Sequence, residues 1–411
     1  KFHLDRLFET LPADVLTTEI DTCWVHYAGQ NPAEYLKKYG TVTATKLYNV
    51  TKEQLTGIEA YNNTALNFYD KNVNTTGTWV VVKDKFVCLK SFVTGTIVED
   101  LTTLAEPIVA DISWYNATDS VFTITTAEQL YGLAKLCNEG KTFANKTVKL
   151  GADIIVNDGK ASEWAKGENI PINAWTPIGT DTGVAFAGTF DGQGHTISGL
   201  YLKTSGSYLG MFGVLNTTAL VKDFKLVNSY FECTADTNSE VTGLGSIAGQ
   251  AMGTISGIYS DAIIKSVSKQ TGGIVGNHRQ DNKTLTITNC WFDGKVTGTE
   301  RVGGIVGFTY GSAIIDMSDC LVTAEVTGTL TGGDTNVGGL IGRTSIGTIT
   351  GCVVEGTITG ATYTAAFFGN QITGGTLTIS NCYNATNLTT QYLRKYGTVN
   401  ASGLHNVTKE Q

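Results

Sequence analysis

The sequence predicts a mostly β fold: a right-handed, three-sided parallel β-helix with an N-terminal capping helix and a smaller α+β N-terminal region. Composition gives the first reason. The 411 residues include 48 Gly, 62 Thr and only 5 Pro, with 41% hydrophobic and 16% charged. An average soluble domain is about 25% charged. Sparse charge with abundant Gly, Thr and Val favours short strands joined by tight Gly/Asn/Asp turns over long ion-paired helices. So large an apolar fraction also excludes a disordered polymer.

Internal repetition gives the second reason. A four-residue pattern recurs as Ile197-Ser-Gly-Leu200, Val221-Lys-Asp-Phe224, Ile255-Ser-Gly-Ile258, Ile287-Thr-Asn-Cys290, Met317-Ser-Asp-Cys320, Ile349-Thr-Gly-Cys352 and Ile379-Ser-Asn-Cys382. Its fourth positions lie 24, 34, 32, 30, 32 and 30 residues apart. Interleaved with it are blocks ending in Gly, such as Ile274-Val275-Gly276, Ile305-Val306-Gly307 and Leu340-Ile341-Gly342, and a shorter series, Val296-Thr297-Gly298, Val326-Thr327-Gly328 and Ile358-Thr359-Gly360. Each period thus holds three short β-prone runs and has no room for a crossover helix, which makes it one coil of a solenoid. Stacking coils about 4.8 Å apart sets like residues over like, and seven copies give a rod roughly 30 Å long. Leu200, Phe224, Ile258, Cys290, Cys320, Cys352 and Cys382 are therefore expected to form one core column, with cysteine serving as a small buried side chain.

The end of such a rod needs a cover. Residues 124–138 supply one: Thr126 as N-cap with Gln129 three residues later, and an apolar stripe of Leu130, Leu133, Ala134 and Cys137. The expected division is 1–122 as an α+β region, 123–150 as capping helix and first strand, 151–386 as the β-helix, and 387–411 as a C-terminal linker or tail. Within 1–122, stretches 33–39 and 52–69 read as helical, and 78–97 and 107–115 as strands. Cys23, Cys88, Cys137 and Cys233 have no assigned place, and one pair among them is open to bridging.

A second repeat spans the whole chain. Tyr35–Gln54 recurs as Tyr392–Gln411 with 15 of 20 residues identical at an offset of 357. Either the chain belongs to a longer tandem array, or its tail mimics residues 35–54 and docks where they dock on a neighbouring copy. Both readings point to assembly with itself, with Tyr392, Leu393, Tyr396, Leu404 and Val407 as the apolar residues of the assembly segment.

A net charge of −8 without any Lys/Arg-rich run argues against nucleic acid or anionic membrane as partner. No apolar run is long enough to span a bilayer, and the start Lys1-Phe2-His3 has neither Met nor a signal-peptide core, so the chain reads as processed or excerpted. Sequons at Asn49, Asn62, Asn74, Asn116, Asn145, Asn216, Asn282, Asn384, Asn387, Asn400 and Asn406 use 11 of the 26 Asn residues, which favours an exported, glycosylated surface.

Catalytic chemistry has little signature. The five His are scattered, with no HExxH and no GxSxG. Column cysteines 30 residues apart cannot converge on zinc. The best carboxylates are Asp293 and Glu355, each three residues after a column Cys, but Thr323 takes the place between them, leaving them two coils, about 10 Å, apart. No cofactor or metal is expected. Trp291, Tyr310 and Tyr383 are the candidate sugar-binding aromatics.

The run Trp175-Thr-Pro-Ile-Gly179, then Phe186-Ala-Gly-Thr-Phe-Asp-Gly-Gln-Gly-His-Thr-Ile197, then Gly-Gly-Ile-Val-Gly at 272–276 and 303–307, resembles the GLUG-motif β-helices of secreted and surface-attached microbial proteins. The likeness covers about 124–386. It implies a structural repeat in an adhesin-like or cell-envelope protein and carries over no catalytic residue. The expected function is a non-enzymatic extracellular module, self-assembling into a cell-surface filament, sheath or layer; the alternative is a glycan-binding or glycan-cleaving β-helix with cell-surface glycans as partners.

Overall fold

The structure, a computed structural model, describes residues 66–70, 75–81, 88–92, 107–234, 243–331, 333–371, 375–394 and 397–408. The chain divides into two compact units, 1–107 and 108–411. In the first, Trp79–Val80 pairs antiparallel with Cys88–Leu89, and Lys90–Phe92 forms a short 3-10 turn. Residues 66–69, expected at the end of a helix, are extended instead, with Phe68 bridged to Trp79. The remainder of the stretches expected at 33–39 and 52–69 lies outside the described residues.

The second unit is a parallel β-solenoid. One coil shows how the sequence winds. Thr284–Thr288 and Trp291–Phe292 lie in one long sheet, Lys295–Gly298 in a second, Val302–Gly303 in a third and Val306–Thr309 in a fourth. Every strand in this coil pairs in parallel with its counterpart in the next: Ile287 with Met317, Trp291 with Leu321, Val296 with Val326, Val302 with Val337, and Val306 with Ile341. The two-residue strand at Val302–Gly303 was not legible as a separate run. It folds back against the fourth sheet so closely that a Cβ on Gly303 would sit 2.0 Å from the Val306 carbonyl oxygen, which accounts for the glycines in each Gly-Gly-Ile-Val-Gly block.

The four-residue pattern has an equally local cause. Its third positions, Asp223, Gly257, Asn289, Asp319, Gly351 and Asn381, all adopt left-handed backbone with φ between 53° and 66°. Only Gly, and to a lesser degree Asn and Asp, enter that region cheaply. This turn rotates the chain so that the fourth residue points inward. Phe224, Ile258, Cys290, Cys320, Cys352 and Cys382 are all buried at 2% exposure or less and follow one another through the ladder. Each column thiol donates to the carbonyl two residues back: Cys290 to Thr288, Cys320 to Ser318, Cys352 to Thr350 and Cys382 to Ser380, at 3.2–3.4 Å. A small side chain with a weak donor suits this place better than a purely aliphatic one.

Leu200 is the exception. It is buried, but Ile197 pairs with Leu226 and Tyr201 with Tyr230, so Leu200 lies level with Ser229 rather than under Phe224. Its copy of the pattern belongs to a neighbouring turn, where Gly199 and Asn228 are both left-handed. The short interval of 24 residues was the sign of this shift.

Helix Ala127–Asn138 forms as its capping residues require: the Thr126 hydroxyl accepts from the Gln129 N–H, and the Gln129 carboxamide accepts from the Thr125 N–H at 2.8 Å. Leu130, Leu133, Ala134 and Cys137 are buried against the first coils. Strand Val121–Ile124 pairs with Thr147–Leu150 in the long sheet, so the boundary expected at 122/123 falls at 107/108. Residues 107–115, expected as a strand, are irregular with a turn at 113–114.

At the other end the solenoid does not stop at 386. Tyr392–Arg394 pairs with Phe368–Gln371, and Thr398–Asn406 lies in register along Thr376–Asn384. Val399, Ala401 and Leu404 continue the places of Leu377, Ile379 and Cys382, so the segment expected as a linker has the inward residues of a further coil.

Candidate functional site

Three surface features arise from this winding. The first is the outward column immediately after the core cysteines. Tyr259, Trp291, Leu321, Val353, Tyr383 and His405 stack in register along the long sheet. Trp291 and Tyr383 are 40% and 42% exposed, so two of the three candidate aromatics share one face. Tyr310 stands elsewhere, in the turn after the fourth sheet, with the Arg279 guanidinium 4.7 Å from its ring centre.

Two residues further along each of these coils lies a polar column, Asp261, Asp293, Thr323 and Glu355. The Thr323 hydroxyl bonds to Asp293 and accepts from the Trp291 indole N–H at 2.8 Å. Thr323 separates Asp293 from Glu355, as the spacing required. Asp261 was missed: it sits one coil from Asp293, and the signal was its place three residues after Ile258, which fills the same core column as the cysteines. Burial holds the Asp261 carboxyl above the usual aspartate range, with the Asp293 charge adding to this, while its Oδ1 accepts from the Asn228 N–H at 2.6 Å. Among the described residues, no group of three or more His, Cys, Asp or Glu gathers to hold a metal ion.

On the second sheet Glu232, buried, receives Lys203 at 2.9 Å and Lys265 at 3.3 Å from the coils on either side, and the Tyr230 hydroxyl at 2.8 Å. Burial opposes the Glu232 charge, but the lysine and tyrosine contacts outweigh it and hold the carboxyl below its ordinary range. This is a ladder of ionic rungs; it offers no opening to a ligand.

The second feature is a groove of about 570 Å³ where three successive coils turn out of the fourth sheet, lined by Tyr208, Asn216, Gln250, Met252, Arg279 and Lys283 among others. Sequence reasoning did not single it out, because Tyr208 and Gln250 lie on strands where the equivalent residues differ from coil to coil, and the other residues come from turns that do not repeat.

The third is the C-terminal coil. Tyr392 stacks on Phe368 with ring centres 5.1 Å apart, His405 stacks on Tyr383 at 5.0 Å, and Leu404 covers Cys382. Leu393 is half-buried, and the Val407 N–H donates to the Asn384 carbonyl at 2.8 Å. Tyr396 lies outside the described residues.

Of the sequons, Asn49, Asn62 and Asn74 also lie outside the described residues. Asn116, Asn145, Asn282, Asn387, Asn400 and Asn406 are exposed and Asn216 is half-buried. Asn384 is 1% exposed, and its amide nitrogen donates to the Leu388 carbonyl and to Asn406 Oδ1, which leaves no room for a glycan. Cys137 is a free, buried thiol, and Cys233 is buried.

Comparison with known proteins places this geometry. The model of the GLUG motif matches residues 333–359. Halomucin of Haloquadratum walsbyi is 30% identical over 191 residues, which is 46% of this chain and 2% of that protein. A "Putative Gly-rich membrane protein" of Evansella cellulosilytica is 29% identical over 137 residues, 32% of this chain and 15% of that protein. The chain thus spans a small part of the length of either relative. A crystal structure described as a "putative immunoglobulin A1 protease" from Bacteroides ovatus aligns over 70% of this chain and 76% of that one, with 19% identity and a TM-score of 0.44. No described helix is long and apolar enough to cross a membrane. Residues 333–359 hold the third and fourth sheets' close turn at Val337–Gly342 and the left-handed Gly351 before Cys352; this stretch matches the GLUG motif and lies within the parallel β-solenoid.

Proposed function

We propose that the chain is a non-enzymatic, extracellular structural module that joins with further copies of itself in a cell-surface filament, sheath or layer. The observation that carries this reading is the place of residues 392–406. They stack as a parallel coil on Phe368–Gln371 and Thr376–Asn384, and the stretch they open is the one repeated at 35–54. A segment whose sequence occurs twice in a chain, and whose C-terminal copy forms a coil on its own solenoid, has the means to dock in the same way on another copy. The likeness to halomucin and to a Gly-rich membrane protein supports a surface location.

The test is to delete 392–411 and follow assembly of the purified chain by light scattering and sedimentation. Loss of higher-order species is the expected result. An unchanged size distribution overturns the role of this segment.

A further inference from the structure

We propose that the outer edge of strand Thr398–Asn406 is the receiving site for residues 35–54 of a second copy, which add to it as the next coil and join copies head to tail. The inference rests on the self-assembly reading above and names the two surfaces that meet.

The edge itself is the first observation. Among the described residues Thr398–Asn406 pairs on one side only, along Thr376–Asn384. Its nine residues include no Pro and no Lys, Arg, Asp or Glu, the residues that commonly guard an edge against pairing with another chain. Its inward side chains are poorly covered: Val399 and Leu404 are half-buried and Ala401 is exposed, whereas Leu377, Ile379 and Cys382 one coil below are fully buried. At the opposite end helix Ala127–Asn138 covers the first coils. A further coil laid on Thr398–Asn406 buries this apolar row and pairs the backbone groups of the edge.

The second observation is where the two copies of the repeat differ. Residues 41–49 match Thr398–Asn406, and the inward set Val399, Ala401, Leu404 and Asn406 recurs unchanged as Val42, Ala44, Leu47 and Asn49. The four differences in this stretch, Thr43 for Asn400, Thr45 for Ser402, Lys46 for Gly403 and Tyr48 for His405, all fall at outward places or at the left-handed turn. Substitution confined to those places keeps everything a coil needs to stack on its like.

The side-chain columns point to the same occupant. His405 lies on Tyr383 with ring centres 5.0 Å apart, and Tyr392 on Phe368 at 5.1 Å. The residues next in each column are then Tyr48 and Tyr35, both aromatic. Asn384 Nδ2 donates to Asn406 Oδ1 at 2.8 Å, and Asn49 supplies a further rung of this amide ladder. Lys46 is the poor fit, since it brings a side chain to a turn where Gly403 has a φ of 58°; the joint between copies is therefore weaker than the internal coil and reversible. Donor and acceptor lie on different parts of one chain, so the contact is heterologous and generates an open filament or a ring rather than a two-fold dimer.

The experiment uses two variants of the full chain, produced without N-glycosylation because the sequons Asn49, Asn400 and Asn406 lie on the two segments involved. Ala401→Lys places an ammonium on the exposed receiving edge, and Ala44→Lys places one on the incoming segment. In sedimentation velocity each variant alone is expected to need about tenfold more protein to assemble than the unmodified chain, the effect of burying an unpaired charge in the joint. An equimolar mixture retains one intact edge and one intact segment, so it is expected to form dimers and stop there. Because both variants also alter their own copy's segment, photo-crosslinking from p-benzoylphenylalanine in place of His405 gives an independent readout: in a mixture of unlabelled and isotope-labelled chains, it should reach residues 46–50 of the other copy. Assembly of either variant at the unmodified concentration, a mixture that grows beyond dimers or forms none, or cross-links that miss 46–50 or stay within one copy would overturn the proposal and leave self-assembly by another surface standing. An unmodified chain that stays monomeric at every concentration would overturn both.

Discussion

Asp319 stands directly under Gly351 in the next coil: both residues are left-handed, with φ of 54° and 64°, and the Asp319 Oδ1 lies 2.6 Å from where a Cβ on Gly351 would be. The same arrangement recurs with Asp223 under Gly257 and Asn381 under Gly403. Asp223, Asp319 and Asn381 thus each lie against a Gly in the next coil, whereas Asn289 is followed by Asp319, so the crowding favours Gly at three of the stacked turns and is not a rule for all of them.

Gly351→Ala meets both penalties at once, a positive φ and a near-contact with a carboxylate, and should lose about 1–3 kcal/mol. Asp319→Gly should lose less, since Gly adopts this φ freely and removes the crowding oxygen. Urea midpoints of the two variants check this, and an equal loss would contradict it.

The column cysteines should be inert in the native state. The neighbouring column sulfur within hydrogen-bond reach, together with burial, pushes the Cys320, Cys352 and Cys382 thiols well up, and burial pushes Cys137 up to about 12. A thiol-specific chromogenic reagent at mildly alkaline pH should leave Cys290, Cys320, Cys352 and Cys382 unmodified until guanidinium unfolds the chain. Rapid native-state labelling of any of the four would contradict the ladder.

Asp261 gives a pH dependence with a definite sign. Its folded carboxyl titrates above the ordinary value of 3.8, so the native state binds the proton more tightly than the unfolded chain. That binding favours the fold fully below 3.8, and the contribution is lost as pH rises through the folded value. Asp261→Asn keeps an acceptor for the Asn228 N–H and removes the charge, so it should raise the melting temperature at neutral pH, with the gain vanishing in acid. Thermal melts across pH decide the matter; an equal or lower melting temperature for the variant at neutral pH would contradict it.

Much of this was legible because stacking repeats its demands. A left-handed turn, a close Gly turn and an inward column each recur every coil, so Asn289, Asp319, Gly351 and the four cysteines announced themselves by spacing. What was misread lay where the repetition breaks. Leu200 shares the motif's letters but sits in a turn displaced by an irregular early coil. Asp261 follows an Ile rather than a Cys, and was overlooked beside Asp293. Residues 392–406 lack the cysteine, yet Val399, Ala401 and Leu404 keep the inward places that make them a coil. The groove at Gln250 joins strand positions filled by a different residue in each coil, Val214, Gln250 and Asn277, to turns of unequal length, and neither leaves a periodic trace.

The central claim is assembly through coil stacking, and electron microscopy of the purified chain, together with material from its native surface, tests it most directly. Filaments, tubes or lattices that depend on residues 392–411 are the predicted result. Monodisperse single rods at every concentration, in both preparations, would contradict the account.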